Sequence, residues 1–133
     1  AGLILPEDLP NYCFIPNQKI VDFCKKKNIP VICFPKGIKE NYKEFNNVVK
    51  PDGLNLDYEI NPLWAKSNLL NVVLQGGLDP KILLSPENDI FNEAKKYLDT
   101  FQKTPYIFNL GHGLLPETDP DKVKKLIKFF RDY

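Results

Sequence analysis

The chain has no methionine, one histidine (His112), one tryptophan and, among eighteen basic residues, one arginine, Arg131. A chain without methionine is not expected to be a complete, unprocessed translation product. The near-absence of arginine leaves no guanidinium cluster with which to clamp phosphates or carboxylates. No apolar run approaches the roughly 18 residues that a membrane-crossing helix needs. The opening Ala1-Gly2-Leu3-Ile4-Leu5 has no basic start and is too short for a signal-peptide core. Charge of one sign is also missing: the formal net charge is +1 over 133 residues, so there is no general attraction to nucleic acid or acidic lipid. Cys13, Cys24 and Cys33 cannot all pair and form neither C-x-x-C nor C-x-C, a spacing that matches no zinc module. They read as buried thiols of a reducing compartment, with no metal site.

What is present is an ordinary packed domain. Hydrophobic residues make up 43% and charged residues 26%, which excludes disorder as the main state. No Ser/Gly linker, low-complexity segment or internal boundary divides the chain, so residues 1–133 read as one folded unit. Short β-branched runs alternate with helical patterns. Strands are expected near 30–34, 53–57, 71–75 and 105–109. The segment from Ile38 to Val49 reads as a helix closed by Pro51-Asp52-Gly53, and a shorter helical turn is expected from Leu63 to Asn68.

Ser85 is the expected N-cap of the next helix, with Pro86 in the first turn and Phe91, Ala94, Leu98 and Phe101 as its inner face. The last helix should start at Thr118 or Asp119 with Pro120, and bury Val123, Leu126, Ile127 and Phe130. The N-terminal 28 residues look helical, interrupted at Pro10 and Pro16, with Ile20, Val21 and Cys24 turned inward. The run Lys25-Lys26-Lys27 reads as a solvated helix end, favoured there by the helix dipole.

Alternating strands and helices imply a parallel sheet, an α/β fold. Both an open doubly wound sheet and part of a (β/α)8 TIM barrel fit. The polar residues favour the barrel: Lys36, Asp57, Asp79 and His112 each stand at or just beyond the C-terminal end of a strand, where barrel enzymes gather their sites. Four units make half of such a barrel, with two unpaired strand edges and an open inner face.

Of the four residues, His112 stands out. Gly111 and Gly113 flank it, allowing a sharp bend and close approach of a ligand. A neutral-pH imidazole can donate or accept hydrogen bonds and can stabilise a carboxylate. The plain alternative is a turn histidine satisfied by nearby carbonyls. Asp57 and Asp79 invite pairing as acid and base, but their simpler roles are a hydrogen bond to the rim for Asp57 and a cap on the turn at Pro80 for Asp79. Lys36 could offset carboxylate charge or be a solvated rim lysine. Gln75-Gly76-Gly77 lacks the surroundings of a phosphate loop.

The stretch Phe108-Asn109-Leu110-Gly111-His112-Gly113-Leu114-Leu115-Pro116-Glu117-Thr118 closely resembles the C-terminal signature of the uroporphyrinogen decarboxylase family. Ala1–Asp8, Val31–Gly37, Leu54–Asp57 and Leu74–Pro80 are similar to further blocks of that family, in the same order. The likeness is weakest between Lys39 and Asn71. It implies a (β/α)8 barrel, here its last four β/α units, that removes carbon dioxide from the four acetate arms of uroporphyrinogen without a cofactor. A tetrapyrrole substrate, a homodimer of the full-length protein, and a cytoplasmic or plastid location are implied as well.

The resemblance makes His112 the cleft histidine that contacts substrate, with Gly111 and Gly113 shaping the loop. The family's arginines, its pyrrole-binding aspartate, its tyrosine and its serine all match positions before Ala1. No catalytic residue is therefore expected within these 133 residues, and alone they should not catalyse. Two other readings remain open: a non-catalytic half barrel acting by association, and a methyltransferase of the same fold. The latter needs thiolate and imidazole zinc ligands at strand ends, and Gly-His-Gly brings no cysteine.

Overall fold

The computed structural model describes all 133 residues. Four strands, β1 (Ile32–Cys33), β2 (Gly53–Leu56), β3 (Val73–Gly76) and β4 (Tyr106–Ile107), form one sheet in the order β1-β2-β3-β4. Every neighbouring pair is parallel, as the alternation predicts. Five α-helices accompany them: α1 (Ile15–Lys25), α2 (Tyr42–Val49), α3 (Pro62–Asn68), α4 (Glu87–Phe101) and α5 (Pro120–Asp132). Helix α1 packs on α2, α3 on α4, and α4 on α5.

The register sorts the side chains by face, because a strand's side chains alternate. Cys33, Leu54, Leu74 and Tyr106 stand side by side in one row. They join Val21, Tyr42, Phe45, Ala65, Ile90, Ala94 and Phe101 in the core beneath the helices. The opposite face carries Ile32 and Val73 in one row and Asn55, Gln75 and Ile107 in the next. This face is open: Ile32 is 47% exposed and Ile107 44%. Asn55 is nevertheless buried, its Oδ1 accepting from Gln75 Nε2 at 2.8 Å.

Several local expectations need correction. Pro10 and Pro16 do not interrupt the N-terminal helix. A 3₁₀ turn at Pro6–Asp8 and a π-helical turn at Pro10–Phe14 run directly into α1. The helix changes type at each proline without breaking: Pro10 opens the π-helical turn, and Pro16, which has no N–H to donate, is the second residue of α1. The inner face is Cys13, Phe14 and Val21, with Cys24 half-buried, whereas Ile20 is 58% exposed.

Ser85 is not the N-cap of α4. It closes a 3₁₀ turn at Pro80–Leu84, and Pro86 takes the cap position without a side-chain bond. The most buried stripe of α4 is Ile90, Ala94, Tyr97 and Phe101; Ala94 and Phe101 are as expected, and Ile90 and Tyr97 stand where Phe91 and Leu98 were expected. Phe91 is used as well, toward α5: it stacks on Phe129 at 4.9 Å. For the same reason Phe129 is half-buried while Ile127 is exposed. Asp119 does cap α5, accepting from Asp121 N at 2.8 Å.

Candidate functional site

Parallel strands bring the loops after all four strands to one edge of the sheet. Lys36, Asp57, Asp79 and His112 each follow a different strand and share that rim. Asp57 is its anchor. The residue is 2% exposed, and its carboxylate accepts three hydrogen bonds. Gly37 N donates to Oδ2 at 2.8 Å, the Tyr42 hydroxyl to the same oxygen at 3.2 Å, and Glu59 N to Oδ1 at 3.0 Å. The Tyr42 hydroxyl also accepts from Asp57 N at 3.2 Å. One carboxylate thus ties the loop after β1, the start of the α2 segment and the turn after β2. Burial, then the Asp57 charge, pushes the Tyr42 phenol far above its ordinary range, so it stays a neutral donor.

The loop after β4 is seated on this anchor. A Cβ added to Gly111 would lie 2.4 Å from Tyr58 N and 2.8 Å from the Asp57 carbonyl carbon. Only a glycine permits that approach. Gly111 N donates to Leu78 O at 2.8 Å, and Leu78 bridges Leu110 in parallel fashion. The loops after β2, β3 and β4 therefore meet at Gly111.

His112 follows immediately and is exposed. Its Nδ1 accepts from Gly113 N at 2.7 Å. Gly113 differs from Gly111: an added Cβ would meet nothing within 4 Å, and its φ lies outside the left-handed region. Of the two glycines expected to shape the loop, space demands a glycine at 111 and not at 113.

Two tyrosines hold the turn after β3. Gly76 and Gly77 have φ of 80° and 110°. Their carbonyls accept from the hydroxyls of Tyr106 at 2.8 Å and Tyr97 at 2.7 Å. Burial raises both phenols, that of Tyr97 to about 12, with the Glu93 and Asp79 charges adding to it. Asp79 caps the turn at Pro80, its Oδ1 accepting from Lys81 N at 2.9 Å. It does not join Asp57; with Tyr58, Lys81, Glu93 and Tyr97 it lines a depression of about 380 Å³. Lys36 is half-buried at the rim and takes part in none of the chain's three ion pairs, all of which are surface pairs of the helices.

Tyr42, Tyr97 and Tyr106 were not marked as rim residues by the sequence. Periodicity places them as apolar positions and carries no signal for a hydroxyl at the far end of the ring. No three His, Cys, Asp or Glu side chains group as metal ligands would, and no helix is long and apolar enough to cross a membrane.

A larger groove, of about 720 Å³, lies at the opposite end of the sheet, with Lys25, Lys50, Asp52 and Lys66 in its lining. Two of its lysines serve the backbone. Lys25 Nζ donates to Lys50 O at 2.5 Å and Lys66 Nζ to Thr100 O at 2.6 Å, where α2 and α4 end. Ammonium groups are favourable at those negative helix ends. The chemistry-bearing residues are at the other end.

A parallel sheet with helices on one face and its polar loops gathered at the strands' C-terminal ends defines a β/α scaffold of the kind barrels are built from. The family model of uroporphyrinogen decarboxylase matches residues 1–133, and the chain belongs to that family. Uroporphyrinogen decarboxylases similar to it include those of Wolbachia sp. subsp. Drosophila simulans (strain wRi), 33% identical over 135 residues, and Rickettsia bellii (strain RML369-C), 37% identical over 139 residues. Each match covers 100% of this chain and 40% of the relative. The protein of Jannaschia sp. (strain CCS1) is 34% identical over 134 residues, covering 98% of this chain and 39% of its own length. The chain thus spans about 40% of the length of the curated relatives it matches.

Proposed function

We infer that these residues supply four consecutive β/α units of a (β/α)8 barrel that decarboxylates uroporphyrinogen to coproporphyrinogen in porphyrin biosynthesis, without a cofactor. In each acetate arm the bond to the carboxyl carbon breaks, carbon dioxide leaves, and a proton takes its place. The observation that carries this reading is the rim: His112 is presented outward from a loop seated on the buried Asp57–Tyr58 backbone, at the C-terminal ends of the strands. Such a rim is where a barrel places its chemistry. The open face bearing Ile32, Asn55, Gln75 and Ile107 is what the lining of a barrel interior requires.

In this reading His112 binds one of the substrate's carboxylates and does not itself move the reacting proton. Gly111 sets where the imidazole stands, and Lys36 adds positive charge at the same rim. Asp57 and Asp79 act on the protein backbone and hold no substrate. The remaining charge work falls to residues that match positions before Ala1, and no residue within 1–133 is assigned to catalysis. The active assembly is a homodimer of full-length chains.

The test is a chimera in which residues 1–133 replace the matched 40% of the Wolbachia relative. It should decarboxylate uroporphyrinogen, and His112→Ala within it should lower kcat/KM about 10- to 150-fold, the worth of one hydrogen bond to a charged group. A folded chimera without decarboxylase activity would contradict the reading. The exposed face also suits a half barrel that acts only by association with another chain. An inactive chimera accompanied by tight binding between residues 1–133 and a separately made remainder of the relative would favour that second reading.

A further inference from the structure

We propose that His112 meets its ligand only as a hydrogen-bond donor through Nε2, because the Gly113 backbone N–H occupies Nδ1 and fixes the ring's tautomer. The Gly113 N to Nδ1 distance of 2.7 Å is that of a good hydrogen bond. An N–H donor can point only at an unprotonated ring nitrogen, so the neutral imidazole carries its proton on Nε2. The ring is thereby turned with Nε2 away from the backbone and toward open space, His112 being exposed.

Gly113 itself is not packed against the rest of the loop. Apart from its two chain neighbours, an added Cβ would find no atom within 4 Å, and its φ lies outside the left-handed region. A side chain at 113 would therefore meet no other part of the chain, and what Gly113 gives the histidine is its backbone N–H. Gly111 does the opposite work of locking the loop to Tyr58. One flanking glycine fixes the histidine's position, and the backbone N–H of the other sets its tautomer.

This narrows what His112 recognises. A ring limited to donation cannot accept from a pyrrole N–H, so its partner is an acceptor, a carboxylate oxygen on an arm of the tetrapyrrole. That Nε2 meets substrate rests on the proposed function; the tautomer rests on the geometry alone. Gly113 N–H is a positioning group and touches no substrate.

His112 is the chain's only histidine, so its ring nitrogens give an unambiguous signal. In the ¹⁵N-labelled chain at neutral pH, long-range ¹H–¹⁵N correlation should show Nδ1 unprotonated and Nε2 protonated. The Gly113 amide should exchange with deuterium roughly 2- to 10-fold more slowly than in His112→Ala, as the loss of one ordinary hydrogen bond implies. A proton on Nδ1, or equal exchange in the two proteins, would overturn the assignment.

In the chimera, His112→Gln, which keeps a donor near the position of Nε2, should hold substrate KM within about 5-fold. His112→Asn, whose amide reaches only the Nδ1 position, should weaken it about 10- to 150-fold, as His112→Ala does. Asn outperforming Gln would refute the Nε2 donor. If Ala, Asn and Gln all matched wild type while the ring still showed the Nε2 proton, the substrate role of His112 would fail and the tautomer would survive.

Discussion

The two ends of the sheet are held together by opposite means. At the strands' C-terminal end, buried side-chain oxygens bind backbone groups of neighbouring loops: Asp57 takes Gly37 N and Glu59 N, while Tyr97 and Tyr106 give their hydroxyl protons to the Gly77 and Gly76 carbonyls. At the N-terminal end, flexible lysines reach the carbonyls where helices finish, as Lys25 does at Lys50 and Lys66 at Thr100. The first kind of tie excludes water, and breaking it leaves buried polar groups without partners. The second is partly solvated, and water replaces it at little cost. A rim that must present a side chain at a fixed place has the rigid ties, and the end that only has to close the fold has the soft ones.

This contrast is open to mutation. The largest loss is expected from Asp57→Ala, which strands the Gly37, Tyr42 and Glu59 donors at once and should cost about 3 kcal/mol or more in denaturant unfolding. For a domain whose total stability is of order 5–15 kcal/mol, that is a severe loss. Gly111→Ala should follow, at about 1–3 kcal/mol, because its Cβ cannot stand 2.4 Å from Tyr58 N without moving backbone. Gly113→Ala, two residues on, should stay within about 0.5 kcal/mol of wild type. Equal losses at the two glycines would erase the distinction between seat and open side.

Tyr97→Phe removes one buried bond to Gly77 O and should cost about 1 kcal/mol. Its ionisation gives a second readout. The folded phenol is raised to about 12 from an ordinary 10, so the folded state holds the proton longer than the unfolded chain does. Stability is therefore full below about pH 10 and falls as pH rises from 10 toward 12. Tyr97→Phe should flatten part of that fall, measured by urea unfolding at each pH. Lys25→Ala and Lys66→Ala should have the smallest effects, each within about 0.5 kcal/mol. A loss above 2 kcal/mol at either lysine would make the two ends alike.

How much of this was legible in the sequence follows the same division. The four strands, their order and their shared polar rim could be read from β-branched runs and from residues just beyond them, because short apolar runs bounded by proline, glycine and asparagine leave a plain pattern. The caps at Asp79 and Asp119 were legible too, each standing before a proline. The face of α4 was not: Phe91 and Leu98 have the same helical spacing as Ile90 and Tyr97, and only the positions of sheet and α5 decide which stripe is deeper. Nor could the sequence separate Gly111 from Gly113, since Gly-His-Gly is symmetric on paper while one glycine lies against Tyr58 and the other against nothing. The tyrosine hydroxyls were hidden because periodicity registers a ring and not the atom at its tip.

The central claim is that a single buried carboxylate organises the rim that presents His112. Amide hydrogen exchange in the wild-type chain and in Asp57→Asn tests it most directly, since the amide side chain is nearly isosteric yet cannot accept at both ends. Gly37, Glu59 and Gly111 should all be protected in the wild type and lose protection together in the variant, while Leu54 and Leu74 in the sheet core keep theirs. If Gly111 stayed protected in Asp57→Asn while Gly37 and Glu59 opened, the loop carrying His112 would be held independently of Asp57, and the account would be contradicted.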